Sequence, residues 1–297
     1  MTRSARVRAQ AKINLSLRVL AREVSGYHQI ETVFQRLDLA DDVWLDLTEG
    51  SRSLYCAGPM LPPSGLGVEH ENLAWRAADA YLRAVGSSKG FRIEVIKHIP
   101  SGGGLGGGSA DAGAVLRLMH VLHGGLTDDR LLQLASTIGA DVPFLTQAES
   151  TVALAWGRGD RMLGLPPLPD AWCLLAVAPF GVNTASAYGW LAERSGTSPG
   201  PSWLPRAAFA SWAELAESVN DFEDVVFPRH PQLAEAFEAL RKGVKATALV
   251  RMSGSGSTLY ALGEGADAAP AAISGLPPGF LLVPTRVAST VSAIELR

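Results

Sequence analysis

Pro100-Ser101-Gly102-Gly103-Gly104-Leu105-Gly106-Gly107-Gly108-Ser109-Ala110-Asp111 is the stretch from which the rest of the chain is read. Six of the seven residues from 102 to 108 are glycine. Glycine has the most backbone freedom to lose on folding, so a cluster this dense needs a compensating use. Phe91, Ile93 and Val95 alternate ahead of it, which is strand spacing, and Val115, Leu118, Met119 and Leu122 follow at helical spacing. A flexible linker would be polar and Ser-rich on both flanks. A glycine turn from strand into helix instead lets backbone N–H groups approach an anion, and a helix N-terminus, expected near Ser109, adds partial positive charge. The stretch therefore reads as a phosphate cradle.

Other phosphate loops do not fit. No G-x-x-x-x-G-K-[ST] is present. Gly102, Gly104 and Gly107 match G-x-G-x-x-G, but a dinucleotide unit also needs a second parallel strand and an acid about 20 residues on. Leu131, Leu134, Ala135 and Ile138 form a helical pattern there instead, with Thr127 as N-cap and Gly139 just beyond its end. No H-R-D or D-F-G follows, which removes the protein kinases.

Upstream, every odd position from Ala5 to Ala21 is apolar, while Ser4, Arg6, Arg8, Gln10, Lys12, Asn14, Ser16 and Arg18 fill the even ones. That is the period of a half-buried strand, or two in series, with Lys12 and Asn14 on one face. Taken alone, this face reads as solvated. A turn at Ser25–His28, strands over Glu31–Leu39 and Val43–Leu47, a loop over 57–67 and a helix through Leu73, Ala77, Tyr81 and Ala84 complete the first half. Beyond Thr151 come strands, helices near 185–194, 211–218 and 231–241, a Ser/Gly/Pro-rich surface loop over 195–205, and strands Lys245–Met252 and Thr258–Leu262 around a turn. Strands and helices mix without βαβα alternation, which predicts an α+β fold.

Composition narrows the function. The 297 residues include 47% hydrophobic and 19% charged residues, enough for a substantial core. Lys plus Arg is 26 against 29 Asp plus Glu, a net charge of −3, which argues against a general nucleic-acid binder. The longest mainly apolar run, Ala171–Val182, is shorter than the about 20 residues of a membrane span and contains Pro179 and Gly181. Cys56 and Cys173 read as thiols in a reducing cytoplasm. The scattered histidines and two cysteines give no metal-ligand spacing, so no protein metal site is expected.

Two further motifs are ambiguous by themselves. Asp141 in Gly139-Ala140-Asp141-Val142-Pro143 has the look of a helix cap, and Ser253-Gly254-Ser255-Gly256-Ser257 that of a hairpin turn. Arg158-Gly159-Asp160 reads as a turn. Taken with Ala11-Lys12-Ile13-Asn14-Leu15, Gly26-Tyr27-His28 and the Pro100–Asp111 loop, however, these elements resemble, in order, the motifs of the GHMP kinases. The resemblance runs from about residue 5 to 290. Ala110 departs from it, standing where a second serine often follows Ser109.

The resemblance implies an N-terminal nucleotide-binding domain, residues 1–153, and a ferredoxin-like C-terminal domain, residues 154–297, with the active site in the cleft between them. It implies ATP as phosphoryl donor with Mg²⁺, and assigns Lys12 and Asp141 to catalysis, reversing the solvated-face and helix-cap readings. It assigns Pro100, Ser101, Gly102, Gly103, Gly104, Leu105, Gly106, Gly107, Gly108, Ser109, Ala110, Asn72 and Lys97 to ATP binding. The A-K-I-N-L and G-Y-H elements, with Asn220-Asp221-Phe222-Glu223, point within the family to phosphorylation of the 2-hydroxyl of a cytidyl diphosphate-linked methylerythritol, a step of non-mevalonate isoprenoid synthesis. Tyr27 and Tyr188 would sandwich the cytosine, with Asn14, His28 and Phe34 lining the same pocket. The alternatives are a GHMP kinase for homoserine, a mevalonate derivative or a sugar, which needs no aromatic sandwich, and a nucleotide-binding protein without turnover. The expected partners are small molecules alone, with neither nucleic acid nor membrane.

Overall fold

The computed structural model describes residues 4–22, 28–157, 159, 161–193, 212–215, 218–265 and 269–297. In chain order its first part holds β1 (Ser4–Arg22), β2 (His28–Thr48), β3 (Arg52–Ala57), α1 (Leu73–Ala84), β4 (Gly90–Ile96), α2 (Gly107–His123), α3 (Asp128–Ile138), α4 (Val142–Thr146), β5 (Val152–Gly157) and β6 (Arg161–Leu165). The remainder holds β7 (Ala171–Val177), α5 (Thr184–Glu193), α6 (Trp212–Leu215), α7 (Glu223–Val226), α8 (Pro231–Gly243), β8 (Leu249–Met252), β9 (Leu259–Glu264), β10 (Leu281–Arg286) and β11 (Glu295–Leu296).

The mixture is α+β, as the element pattern predicts. The first sheet runs β11-β1-β2-β4-β3, with β5 on β2 and β6 on β5. β2 is one strand where the sequence suggests two. Its first half pairs with β5 and its second with β4, while β1 lies along its length. The register changes between the pairs Gln10/Ala40 and Lys12/Arg36, an irregularity that bends the pair. The second sheet is antiparallel in the order β10-β7-β9-β8. Counted from β7 that is 4-1-3-2, the ferredoxin-like order. The expected division at 153/154 falls inside β5, and the change of sheet lies between Leu165 and Ala171.

β7 explains the long apolar run. Ala171, Cys173 and Leu175 pack into the core under the first sheet, whereas Trp172, Leu174 and Ala176 pack into the second core with α8. A strand buried on both faces loses the alternation of a half-buried one. Among the described residues no helix is long and apolar enough to cross a membrane.

β1 departs from expectation in the same way. Gln10, Lys12, Asn14 and Ser16, the polar face read as solvated, are each no more than 5% exposed. Segments distant in the chain cover them: the Lys12 N–H donates to Leu105 O in the glycine stretch at 3.0 Å, and Gln10 Nε2 donates to Thr290 O at 3.0 Å. Gly26 and Tyr27, the 195–205 loop, and Arg158 and Asp160 lie outside the described residues.

Candidate active site

The glycine stretch enters α2 at Gly107, two residues earlier than Ser109, with Gly106 as N-cap in the left-handed region at φ 71°. α2 is central: both its faces are buried, and Val115, Leu116, Leu118 and Met119 are in the core. Its first N–H groups have no intrahelical acceptor, and they open on a cavity of about 460 Å³. Pro100, Ser101, Gly102 through Gly108, Ser109, Asn72, Lys97 and Asp141 all line it, as do Leu66, Glu71, Leu73 and Asp111. Ala110 does not: it points into the core at 2% exposure. Three residues beyond Gly107, it lies on the inward face of the helix.

The cradle is closed by a second glycine turn. A Cβ on Gly104 would stand 2.2 Å from Ser253 O, and one on Gly103 would stand 2.3 Å from Thr258 Oγ1. Thr258 N–H donates to Gly103 O at 3.1 Å and Ser253 Oγ to Gly104 O at 2.8 Å. The 253–257 turn between β8 and β9 is thus a wall of the site. Its own anchor is Asn220, whose Nδ2 donates to Met252 O and Gly254 O, both at 2.8 Å.

Lys12 and Asp141 meet at this cradle. Lys12 Nζ is 3.2 Å from Asp141 Oδ2 and donates to Asn14 Oδ1 at 2.7 Å. Asn14 Nδ2 donates in turn to Thr32 Oγ1 at 2.8 Å, and Thr32 Oγ1 to Ser16 O. The Lys12 side chain is 4% exposed and that of Asp141 29%. Asp141 occupies the N-cap position of α4, yet its side chain makes no capping hydrogen bond. Capping would have occupied its oxygens; instead one reaches Lys12 and the carboxylate stays partly open to the cavity. A carboxylate beside an ammonium, at a helix N-terminus able to hold phosphate, can orient a hydroxyl and take its proton while the lysine stabilises charge on the transferring oxygens.

Lys97 sits differently from a simple ligand-binding lysine. Its Nζ is 2.6 Å from Asp111 Oδ2 and also contacts Asp41 Oδ2, and all three side chains are buried. Asp41 Oδ1 accepts the N–H groups of His98 and Ile99. Burial alone would lower the Lys97 pKa, but Asp111 and Asp41 hold it above its ordinary value. One ammonium cannot neutralise two carboxylates, and burial pushes Asp111 up to about 8. Asn72 caps α1, accepting from Ala74 N–H at 2.9 Å. Nothing in the local sequence marked Asp41, and the Asn220-Asp221-Phe222-Glu223 element gave no sign that Asn220 anchors the 253–257 turn, because each acts on a segment distant in the chain.

On the other side of Asp141, His28 and Tyr188 stack with ring centroids 4.7 Å apart and 14° between planes. Phe222 meets Tyr188 edge-on at 5.0 Å. Burial first, then the Asp141 charge, raises the Tyr188 hydroxyl to about 12. Phe34 is 1% exposed, packed on Phe144 at 5.0 Å and beneath Lys12, whose Nζ is 5.4 Å from the ring centre. It supports Lys12 from within the core and is no open pocket wall. Tyr27 lies outside the described residues.

Two family models match this chain, the GHMP kinase N-terminal domain over residues 72–148 and the GHMP kinase C-terminal domain over residues 201–278. The chain belongs to the GHMP kinases and is an ATP-dependent kinase of that family. Among its relatives is the 4-diphosphocytidyl-2-C-methyl-D-erythritol kinase of Citrifermentans bemidjiense, 38% identical over 88% of this chain and 90% of the relative. A crystal structure of 4-(cytidine 5'-diphospho)-2C-methyl-D-erythritol kinase superposes with a TM-score of 0.67 at 36% identity, over 88% of this chain and 90% of that one. Homoserine kinase from Cytophaga hutchinsonii, with a TM-score of 0.66 over 100% of this chain and 98% of that one, is 14% identical and shares the fold.

Proposed function

We propose that this chain transfers the γ-phosphoryl group of ATP to the 2-hydroxyl of 4-diphosphocytidyl-2-C-methyl-D-erythritol. The observation that carries this reading is the Lys12–Asp141 pair, 3.2 Å apart, beside a glycine cradle at the start of α2. The relatives at 36–38% identity carry the name of that kinase.

In this reading the phosphates of ATP lie against the N–H groups of Gly107, Gly108 and Ser109. Gly106 is favoured there by its left-handed φ of +71°, and an added Cβ would press on Lys12 at 3.1 Å from Cγ. Asp141 orients the acceptor hydroxyl and takes its proton as the oxygen attacks, and the Lys12 ammonium stabilises charge on the attacking and transferring oxygens. Mg²⁺ would neutralise phosphate charge. Among the described residues no group of three His, Cys, Asp or Glu side chains could hold a metal alone. This suits an ion that takes most ligands from phosphate and water, and Ser109, on the cavity wall, is the side chain we assign to hold it.

The cytosine is assigned to the His28–Tyr188 side of the cleft, with Tyr27 and Asn14 in the family positions and Phe34 beneath Lys12. Opening the stack would admit a flat base between aromatic rings. We divide the chain into a nucleotide side and a substrate side and place the protein in the cytoplasm, acting on small molecules. A coupled assay for ADP release with the cytidyl substrate, homoserine and mevalonate tests the reading. Turnover confined to the cytidyl substrate supports it; turnover with either of the others and not with the cytidyl substrate overturns it.

A further inference from the structure

α4 has five residues, too few to hold a helical conformation alone. It nevertheless carries Asp141 at its N-cap, so whatever fixes α4 fixes that carboxylate. One support comes from α2, where Gly113 lets Leu145 approach so closely that a Cβ would stand 2.7 Å from its carbonyl. The other is Arg36. This side chain is 1% exposed, and its Nη2 donates to Phe144 O and, at 2.8 Å, to Gln147 O, both at the C-terminal end of α4. The guanidinium carbon lies 4.9 Å from the centre of the Phe144 ring. Among the described residues no carboxylate pairs with it, and burial, with Arg117 adding to it, lowers its pKa to about 9. Its charge is met by carbonyl oxygens at a helix C-terminus, the end that carries partial negative charge.

Its place in the sheet gives this cation a further meaning. Arg36 is the direct partner of Lys12 across β1 and β2. Its own main chain is fixed too, with N–H to Thr151 O and C=O from Ala288 N–H, each at 2.9 Å. One register therefore sets both members of the Lys12–Asp141 pair: Lys12 directly, and Asp141 through the Arg36 hold on α4.

We propose that Arg36 is a positioning residue for phosphoryl transfer, holding α4 so that Asp141 stays against Lys12. The proposal rests on the reading of Asp141 as the group that orients and deprotonates the hydroxyl. Misplacing a reacting group by about 1 Å can cost about 10²-fold, so Arg36→Met should lower kcat by ~10–100-fold. KM for ATP should stay within about two-fold, because the glycine cradle is untouched. Arg36→Lys keeps the charge but reaches fewer acceptors, and should fall between the two. In an Asp141→Asn background, single-turnover rates should show almost no further loss from Arg36→Met, since the path through Asp141 is already cut. Phe144→Leu, which removes the ring under the guanidinium, carries the test if Arg36→Met does not fold, and should lower kcat with unchanged KM for ATP.

Unchanged kcat per folded molecule in these variants, with only a lower Tm, would overturn the proposal. So would an equal loss in both backgrounds. If Asp141→Asn alone leaves turnover intact, the reading of Asp141 has failed; if it does not and Arg36→Met or Phe144→Leu is harmless to kcat, only the positioning role has.

Discussion

Gly104→Ala, just ahead of α2, should disable the enzyme while a matched glycine substitution at the far end of that helix does not. Gly104 has φ +78°, and an added Cβ would stand 2.2 Å from Ser253 O and 3.2 Å from Gly256 O. Both are backbone atoms, which cannot rotate away as a side chain could. To reach an ordinary contact the glycine stretch and the 253–257 turn must part by roughly 1 Å, a displacement that can cost about 10²-fold when it misplaces reacting groups. Parting them also strains the Ser253 Oγ bond to Gly104 O and moves Leu105, whose carbonyl holds Lys12 N–H. The left-handed backbone itself costs an alanine about 1–2 kcal/mol. Gly124, the C-cap of α2, has φ +69° and ψ −162°, a conformation essentially confined to glycine, and nothing within 4 Å of its added Cβ, so Gly124→Ala carries backbone strain without the clash. The assay is ADP release at varied ATP, with thermal unfolding beside it. We expect both variants to lose stability, Gly104→Ala the more for its clash, but only Gly104→Ala to lose kcat/KM for ATP, by about 10²-fold. Equal kcat/KM in the two would refute the reasoning that the second glycine turn fixes the cradle.

Asp141→Asn should lower single-turnover rates by ~10²–10⁴-fold with ATP affinity nearly intact by calorimetry, the scale for a positioned acid–base group; a near-normal rate would reduce Asp141 to a cap position. Tyr188→Ala should raise KM for the cytidyl substrate by roughly 5–150-fold, the equivalent of about 1–3 kcal/mol of stacking. KM for ATP should not move, and the reverse pattern would displace the base from the His28–Tyr188 side. Glu223, which accepts Met252 N–H at 2.7 Å, has its pKa raised from 4.5 to about 7 by burial. The folded state thus holds a proton that the unfolded chain releases between those values, so this group makes stability fall as pH rises from about 4.5 to about 7. Glu223→Gln should flatten that part of the Tm–pH curve, and an unchanged slope would show that Glu223 does not titrate there.

How much of this was legible in the sequence depends on how local the information is. The glycine stretch, its strand before and its helix after could be read directly, because glycine density and hydrophobic period are properties of neighbours in the chain. So could the apolar face of β1 and the α+β mixture. The cavity lining from Pro100 to Ser109 follows from the same stretch, with Ala110 the exception, since a helix turns each successive side chain by about 100° and the fourth residue of α2 faces inward.

What only the tertiary structure decided is which face of each element is covered, and by what. The alternating pattern of β1 could not reveal that Lys12 and Asn14 are buried, because the segments covering them lie about residues 105 and 254. Asp141 before Val142-Pro143 has the sequence of a cap; only its 3.2 Å approach to Lys12, across most of the first sheet's chain length, gives it another use. The resemblance assigns Lys97 to ATP binding; it does line the cavity, but only the structure shows its ammonium held between Asp41 and Asp111. Arg36 looked like one more charged residue in a strand, and the register that sets it opposite Lys12 and under α4 is fixed by packing. Residue type and spacing set local conformation, whereas burial and charge pairing are properties of contacts between segments far apart in the chain, and those exist once the sheets have closed on the glycine loop.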